Sequence, residues 1–415
     1  MSEPNRWAKR AMAHGRVLCR GIGPRGATSD EEQRAAEYVR DELQRLRLQA
    51  VRVEPFGGTD SAWLPWAIAF SLTIWGVLIG LIMAQRGGEI IALAFFLLAA
   101  WIAYRELYPT IGSGAGSPPS GAGTSSGGFP IRRWLWQGDS QNVIGVVSPS
   151  GPVERRVVLM SYLDSARAPF FWRTQRRRRL VGCLALPILC SLPCSGATLM
   201  LGAMTGNAWF YPLAILVSSF PSIGLIASLR AGRSPLAPGA NNNASGVGAL
   251  LALAERLQKA PLAHTEVWLL ATGCRETGGD GARAFLRTHG ETLAQTTFVA
   301  LEGVGVGEWP VYLTGEGRMR QTHYSSKTLA LAAQAAERCR EAGLDVSPEH
   351  HQGGPTEMGI ITREGLDGVT INVWADLNGV AGRRQEADTF DVLEKKALAD
   401  ALTFAWALLQ EIDAD

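Results

Sequence analysis

Three stretches of the chain carry no charged residue, and their lengths predict membrane-spanning helices. They cover residues 61–85, 90–104 and 180–229. A helix needs about 20 apolar residues to cross the hydrocarbon core of a bilayer. The first stretch therefore accommodates one span, and the third accommodates two spans with a break near residues 205–207. The 90–104 stretch is short, so we expect flanking glycines and Arg105 to extend it into a fourth span; a buried core helix is the alternative.

The arginines beside the third uncharged stretch, 180–229, predict how the chain is oriented. Arg173 and the four arginines at 176–179 precede it, Arg230 and Arg233 follow it, and its central turn has none. Arginine-rich loops stay in the cytoplasm. We therefore expect two hairpins that leave and return on the cytoplasmic side of the cell (plasma) membrane. The first residues lack the pattern of a signal peptide, so the rest of the chain is expected in the cytoplasm.

Outside these stretches, helical and extended patterns alternate. Helix signals begin at Thr28–Asp30 and recur over 246–257, 281–289, 325–342 and 393–412; strand signals lie at 51–56, 142–147, 157–160, 266–271, 298–301 and 369–373. Such alternation predicts an α/β fold, with a mixed, mostly parallel sheet and helices on both faces. The predicted layout has one domain in three parts, interrupted by two hairpins and a Gly/Ser/Pro linker, with boundaries 1–60 (domain), 61–108 (hairpin), 109–130 (linker), 131–179 (domain), 180–229 (hairpin) and 230–415 (domain).

Composition excludes several classes of function. Lys and Arg number 40 and Asp and Glu number 38, a formal net charge of +2, which argues against a nucleic-acid-binding protein. The six cysteines form no CxxC pair. A GxSxG nucleophile elbow and a phosphate-binding glycine loop after a strand are both missing from the sequence. A transporter is disfavoured because the apolar stretches contain no ionisable residue.

Five polar clusters follow the predicted strands or open the helices, where the sites of such sheets lie. They are SYLDS at 161–165, PGANNNASG at 238–246, GCRETG at 273–278, Glu302 with Gly303, and RRQEADT at 383–389. Together and in this order they resemble metallopeptidase family 28, which includes zinc aminopeptidases, glutamate carboxypeptidase and glutaminyl cyclase. The resemblance implies the zinc aminopeptidase fold over roughly 28–56, 140–166 and 236–412.

The resemblance also implies where two zinc ions and a general base would lie. The family binds zinc through two His and three carboxylates, and this chain has other residues at three of those five positions. The general-base Glu corresponds to Arg275, and Asp164 and Asp388 correspond to carboxylates that support the ligands. The ligand positions are occupied by Tyr162, Asn242, Glu276, Glu302 and Arg384.

Charge predicts what these replacements do. Two unit charges 4 Å apart interact by about 4 kcal/mol at an effective dielectric constant near 20, so an arginine would repel a dication strongly. The same guanidinium groups could instead neutralise the retained carboxylates. Our hypothesis is that Arg275 and Arg384 occupy the former metal centre as an ion-paired network with Asp164, Glu276 and Glu302.

These arguments favour a membrane-bound, inactive relative that uses no cofactor and acts as a binding or scaffold component. Its expected partners are the lipid bilayer, other membrane proteins, and a peptide or anionic ligand in the former active site, but no nucleic acid. A solvent-exposed relic without a role is the simpler alternative. The enzymatic alternative is a zinc-dependent aminopeptidase with divergent ligands, in which His350 or His351, in a predicted loop, joins Glu276 and Glu302.

Overall fold

In a computed structural model of the chain, the described strands form one mixed sheet. The structure describes residues 3–83, 88–107, 137–172, 174–293, 295–317, 321–353, 356–374 and 385–415. The strands are β1 (Gln49–Thr59), β2 (Gln137–Val147), β3 (Arg155–Tyr162), β4 (Thr265–Thr272), β5 (Thr296–Leu301), β6 (Trp309–Glu316), β7 (Thr322–His323), β8 (Ser347–His351) and β9 (Asp367–Trp374).

The centre of this sheet is parallel and its margins are antiparallel. The order is β1-β2-β4-β3-β5-β9-β6-β7, with β8 pairing with β6. Strands β4, β3, β5 and β9 run parallel, whereas β2 runs antiparallel to β4 and β6 antiparallel to β9. Central strands are covered on both faces and are therefore apolar along their length, as the fully buried residues 157–160 of β3 show. The predicted α/β fold is confirmed.

Helices cover both faces of the sheet and also form a separate apolar group. In chain order they are α1 (Glu3–Arg16), α2 (Asp30–Arg45), α3 (Leu64–Ile82), α4 (Gly88–Leu107), α5 (Gln175–Thr205), α6 (Phe210–Val217), α7 (Ser219–Gly232), α8 (Ser245–Lys259), α9 (Asp280–His289), α10 (Ser326–Glu341), α11 (Glu357–Arg363) and α12 (Lys395–Ala414). Helices α1, α2, α8, α10 and α12 share one core with the sheet, and α9 and α11 share the other.

Four segments are long and apolar enough to cross a membrane. They are α3, α4, the Arg179–Thr205 part of α5, and the Phe210–Gly232 segment that contains α6 and α7. Helix α5 ends at Thr205, where the sequence places the turn, and Gly206 takes the left-handed conformation (φ 66°) that glycine accommodates. Small residues allow the helices to approach closely: Phe96 of α4 lies against Gly76 of α3 and Gly196 of α5.

Both apolar insertions leave and rejoin the α/β domain at neighbouring residues. Thr59 at the end of β1 pairs with Gln137 at the start of β2, and the first insertion lies between them. Arg167 bridges Leu236 in the same antiparallel way around the second insertion. Each hairpin therefore returns to the point where it began, which leaves the sheet uninterrupted.

The structure adds elements that the sequence patterns did not indicate. Helix α1 was not predicted. The segment that contains His350 and His351 was predicted to be a loop, and this was wrong, since it forms strand β8. The strand is short, lies beside β6 and contains Pro348, so it shows no apolar alternation. The predicted linker at 109–130 lies outside the described residues.

Candidate functional site

The polar clusters of the sequence meet at the carboxyl ends of the central strands. Asp164 lies just beyond β3, Arg275 and Glu276 lie beyond β4, and Glu302 follows β5 directly. Since β3, β4 and β5 are parallel neighbours, their loops converge on the same edge of the sheet. The geometry therefore gathers residues that are more than 130 positions apart in the sequence.

Asp164 fixes the loop that carries Arg275 and Glu276. Its side chain is fully buried, and its two oxygens accept hydrogen bonds from the backbone N–H groups of Arg275 (3.0 Å) and Glu276 (2.8 Å). Burial raises the pKa of Asp164 well above its usual range, and the nearby charges of Glu32 and Glu276 add to this, against the two backbone hydrogen bonds. Asp164 thus sets the direction in which the Arg275 and Glu276 side chains leave the loop.

The Arg275 guanidinium lies between the two carboxylates at retained ligand positions. Its Nη1 is 2.9 Å from Glu276 Oε1, and its Nη2 is 3.3 Å from Glu302 Oε2. Its Cζ lies 4.8 Å from the centre of the Tyr162 ring, within the range of a cation–π contact. Burial alone would lower the pKa of Arg275, but the charges of Glu276, Tyr162, Glu302 and Glu357 raise it well above its usual value. The hypothesis of an ion-paired network depends on these two contacts of Arg275 with Glu276 and Glu302.

Asn242 has an amide side chain where the family resemblance implies a carboxylate ligand of zinc. Asn242 is 3% exposed, and within the described residues neither atom of its side-chain amide has a hydrogen-bond partner. Asp388 holds the turn in place by accepting hydrogen bonds from the N–H groups of Asn241 (2.6 Å) and Asn242 (3.1 Å). Burial raises the pKa of Asp388 to about 6, against these hydrogen bonds.

Glu357 is a member of the site that sequence reasoning did not include. It lies at the start of α11 with 1% exposure, and its Oε1 accepts a hydrogen bond from Thr272 Oγ1 at 2.6 Å. Burial raises the pKa of Glu357 to about 8, and the charge of Glu302 adds to this. The only signal in the sequence was its place beside Thr356, where the resembled family has a Ser-Asp pair near the active site.

A buried arginine connects the loops below the site, and no motif indicated it. The Arg25 side chain is fully buried, and all of its described hydrogen bonds go to backbone carbonyls. Two of these carbonyls belong to Leu163, beside Asp164, and to Gly239, at the start of the turn that carries Asn242. Arg25 is therefore a positioning residue for both loops.

The remaining predicted residues do not join this group in the described structure. Arg384 lies outside the described residues. His350 is in β8, where its ring nitrogen lies 3.0 Å from the carbonyl oxygen of Gly317. Within the described part of the chain, no three His, Cys, Asp or Glu side chains are arranged to hold a metal ion. The alternative ligand set of Glu276, Glu302 and His351 therefore stays a prediction.

The raised pKa of Glu357 predicts that stability falls with pH. The folded protein holds this proton up to about pH 8, whereas the unfolded chain releases it near the ordinary value of about 4.5. Raising the pH between these values therefore destabilises the fold by up to about 1.4 kcal/mol per pH unit. We expect Glu357→Gln to be closest to the wild type at pH 4.5 and to unfold at an increasingly higher temperature than the wild type up to pH 8, measured by thermal unfolding in detergent. Exposed Glu341→Gln is the control, and equal shifts in both variants would contradict the assignment.

The comparisons agree with this geometry. The sequence model of peptidase family M28 matches residues 222–409. Over these residues the chain is similar to peptidase family M28. Its fold is similar to that of a zinc aminopeptidase from Bacillus subtilis (TM-score 0.55, 15% identity, covering 97% of this chain and 95% of that chain). No curated protein sequence matches the chain.

Two further solved structures have a similar fold. An aminopeptidase from Aneurinibacillus sp. strain AM-1 has a TM-score of 0.55 and 14% identity, covering 97% of this chain and 93% of that chain. Glutaminyl cyclase from Bacteroides thetaiotaomicron, bound to N-acetylhistamine, has a TM-score of 0.52 and 12% identity, covering 97% of each chain. At these identities the likeness establishes the fold of this chain and not its activity.

The comparisons overturn the expectation that no cofactor is involved. That expectation was wrong because the family match and the zinc aminopeptidases of the same fold point to zinc-dependent proteins. The described residues nevertheless do not fit the dizinc set that the resemblance implies. A phenol and an amide without a described hydrogen-bond partner stand where the resemblance implies two ligands, and Arg275 lies between Glu276 and Glu302. Zinc prefers His, Cys and carboxylate donors.

Proposed function

We propose that this chain is an integral protein of the plasma membrane that has lost hydrolytic activity and acts as a binding or scaffold component. The observation that supports this is the ion pairing of Arg275 with both Glu276 and Glu302. Arg275 occupies the position at which the family resemblance implies the general base. A guanidinium group has no acceptor and does not deprotonate in proteins, so it cannot take a proton from an attacking water.

The membrane placement rests on the hairpins. Four segments have the length and composition of spans, and each hairpin leaves and rejoins the domain at paired residues. The domain would then lie entirely on one side of the bilayer. The arginines at the ends of α5 and α7 favour the cytoplasmic side.

Charge at the site indicates what it would bind. Among the described residues, two carboxylates, Glu276 and Glu302, contact one guanidinium, Arg275. The side chains of Arg275 and Glu276 are each 8% exposed, so only one edge of the cluster reaches solvent. This excess of carboxylates favours binding of a cationic group, such as the amino terminus of a peptide. The anionic ligand expected from Arg275 and Arg384 is less favoured. The hairpins would contact other membrane proteins, and a net charge of +2 offers nothing to nucleic acid.

An activity assay on the full chain tests the loss of hydrolysis. The purified protein in detergent is incubated with zinc and with leucyl-, arginyl- and glutaminyl-aminomethylcoumarin. We expect release of the fluorophore to stay at the level of buffer alone, because loss of a general base by itself lowers the rate of hydrolysis by roughly 10²–10⁴-fold. A zinc aminopeptidase of known activity in the same detergent is the positive control.

A matched variant separates true activity from contamination. Glu276→Gln keeps the size of the side chain but removes a charge at a retained ligand position. Hydrolysis by the wild type that zinc stimulates and that Glu276→Gln abolishes would overturn the proposal. Hydrolysis that both proteins share would come from a contaminant.

A further inference from the structure

The second hairpin and its flanks contain arginines without any acidic residue to balance them. Residues 165–254 include eight arginines and no Asp, Glu or Lys. Five of the eight have exposed side chains. We call these five the juxtamembrane arginine patch: Arg176, Arg177, Arg179, Arg230 and Arg233. Within the described residues, no ion pair involves any of these five side chains. Their charge is therefore open to a partner outside the chain.

The structure brings the two halves of this patch to the same place. Arg176, Arg177 and Arg179 lie in the first turns of α5, whereas Arg230 and Arg233 lie at the end of α7. The segments that lead to these helix ends pair with each other: Ala168 N–H donates to Pro235 O and Ala237 N–H donates to Ala166 O, both at 2.8 Å. Five positive charges thus lie around one pair of neighbouring helix ends.

Aromatic side chains at the same level mark this as the edge of the apolar helices. Trp63, directly before α3, contacts the ring of Phe171 edge-on with ring centres 5.6 Å apart, and Gly232 at the end of α7 lies against Trp63. Phe170 is 40% exposed. Tryptophan and other amphipathic rings concentrate at the boundary between hydrocarbon and headgroups, which is where lipid phosphates lie.

We infer that the juxtamembrane arginine patch binds the headgroups of anionic phospholipids. Guanidinium groups form paired hydrogen bonds with phosphate oxygens, and clusters of four to eight basic residues beside a span attract anionic lipids. The inference rests on the proposed membrane placement, which it extends by naming the lipid class. It does not depend on whether the M28-like domain is active.

Lipid titration of the full chain tests the inference. The protein in mild detergent is titrated with palmitoyl-oleoyl phosphatidylglycerol or phosphatidylcholine, and bound lipids are counted by native mass spectrometry. The test variant is Arg176→Gln/Arg177→Gln/Arg179→Gln. We expect the wild type to prefer phosphatidylglycerol, and the triple variant to lose at least tenfold in affinity, since each arginine near an anionic surface contributes about fivefold. Affinity for phosphatidylcholine should not change.

The control variant also replaces three arginines with glutamine, but these lie at the edge of the sheet where the parallel strands begin. Arg47, Arg155 and Arg287 lie just before β1, at the start of β3 and near the end of α9. We expect their triple glutamine variant to bind phosphatidylglycerol like the wild type. An equal loss in both triple variants, no preference for phosphatidylglycerol in the wild type, or full competition by millimolar inorganic phosphate would overturn the inference.

Flotation separates failure of this inference from failure of the membrane placement. All three proteins are reconstituted into phosphatidylcholine vesicles and centrifuged through a density gradient at high salt. We expect all three to float, because the apolar helices hold them. Floating protein that shows no preference for phosphatidylglycerol contradicts the lipid site alone, whereas protein that does not float contradicts both proposals.

Discussion

Replacing Arg275 with methionine is expected to lower the unfolding temperature by roughly 10 °C. Arg275 contacts both Glu276 and Glu302, whose side chains are 8% and 1% exposed. Removing one partner of a buried ion pair leaves uncompensated charge and typically destabilises a protein by about 3–5 kcal/mol. Methionine keeps most of the side-chain volume, so the effect reports the missing charge and not a cavity. Thermal unfolding of the full chain in detergent at pH 7.5 measures it.

A partly exposed ion pair provides the control. Arg338 contacts Glu411 with 52% of its side chain exposed, and such pairs contribute about 1 kcal/mol or less. Arg338→Met should therefore move the midpoint by no more than about 3 °C. Similar midpoints for both variants at pH 7.5 would show that the network around Arg275 does not hold the fold together.

The parts of this protein that the sequence predicts are those with a local cause. The four apolar helical segments that are candidate membrane spans follow from runs without charge, and the turn at Gly206 follows from a glycine between two such runs. The start of α2 follows from Ser29, whose hydroxyl accepts a hydrogen bond from the N–H of Glu32. The carboxylates after β4 and β5 were found because parallel strands with covered faces place their loops at the same edge of the sheet.

The parts that were missed depend on distant contacts. Arg25 binds carbonyl oxygens that lie up to 214 positions away in the sequence, and backbone acceptors leave no pattern in a sequence. The proton on Glu357 depends on burial beneath other elements, which no local motif encodes. Strand β8 is defined by its partner β6 and not by its own residues.

The expectation that no cofactor is involved was wrong because it, too, was drawn from single positions in the sequence. Counting ligand types position by position treats each replacement as a loss, whereas the family model compares the pattern of residues 222–409 as a whole. The carboxylates of Glu276 and Glu302 can be neutralised either by a metal ion or by a guanidinium group. In the described residues, the Arg275 guanidinium makes these contacts. Reversing the replacements should therefore exchange one form of neutralisation for the other.

The strongest test of this exchange is a variant in which the ligand types of the family are restored. Arg275→Glu alone adds a carboxylate to a buried group of carboxylates, and we expect it to destabilise the fold at least as much as Arg275→Met. The quadruple variant Tyr162→His/Asn242→Asp/Arg275→Glu/Arg384→His should be equally unstable without metal. Zinc at about 1,000 times its dissociation constant should then stabilise the quadruple variant by about 4 kcal/mol.

Three comparisons make this prediction specific to the restored residues. Zinc should raise the unfolding temperature of the quadruple variant but not that of Arg275→Glu, which still has Tyr162 and Asn242 at ligand positions. Magnesium should not replace zinc, because it prefers oxygen ligands in octahedral geometry and two of the restored ligands are histidines. If zinc stabilised Arg275→Glu as strongly as the quadruple variant, Tyr162 and Asn242 would not limit metal binding, and Arg275 alone would separate this chain from the zinc-binding members of the family.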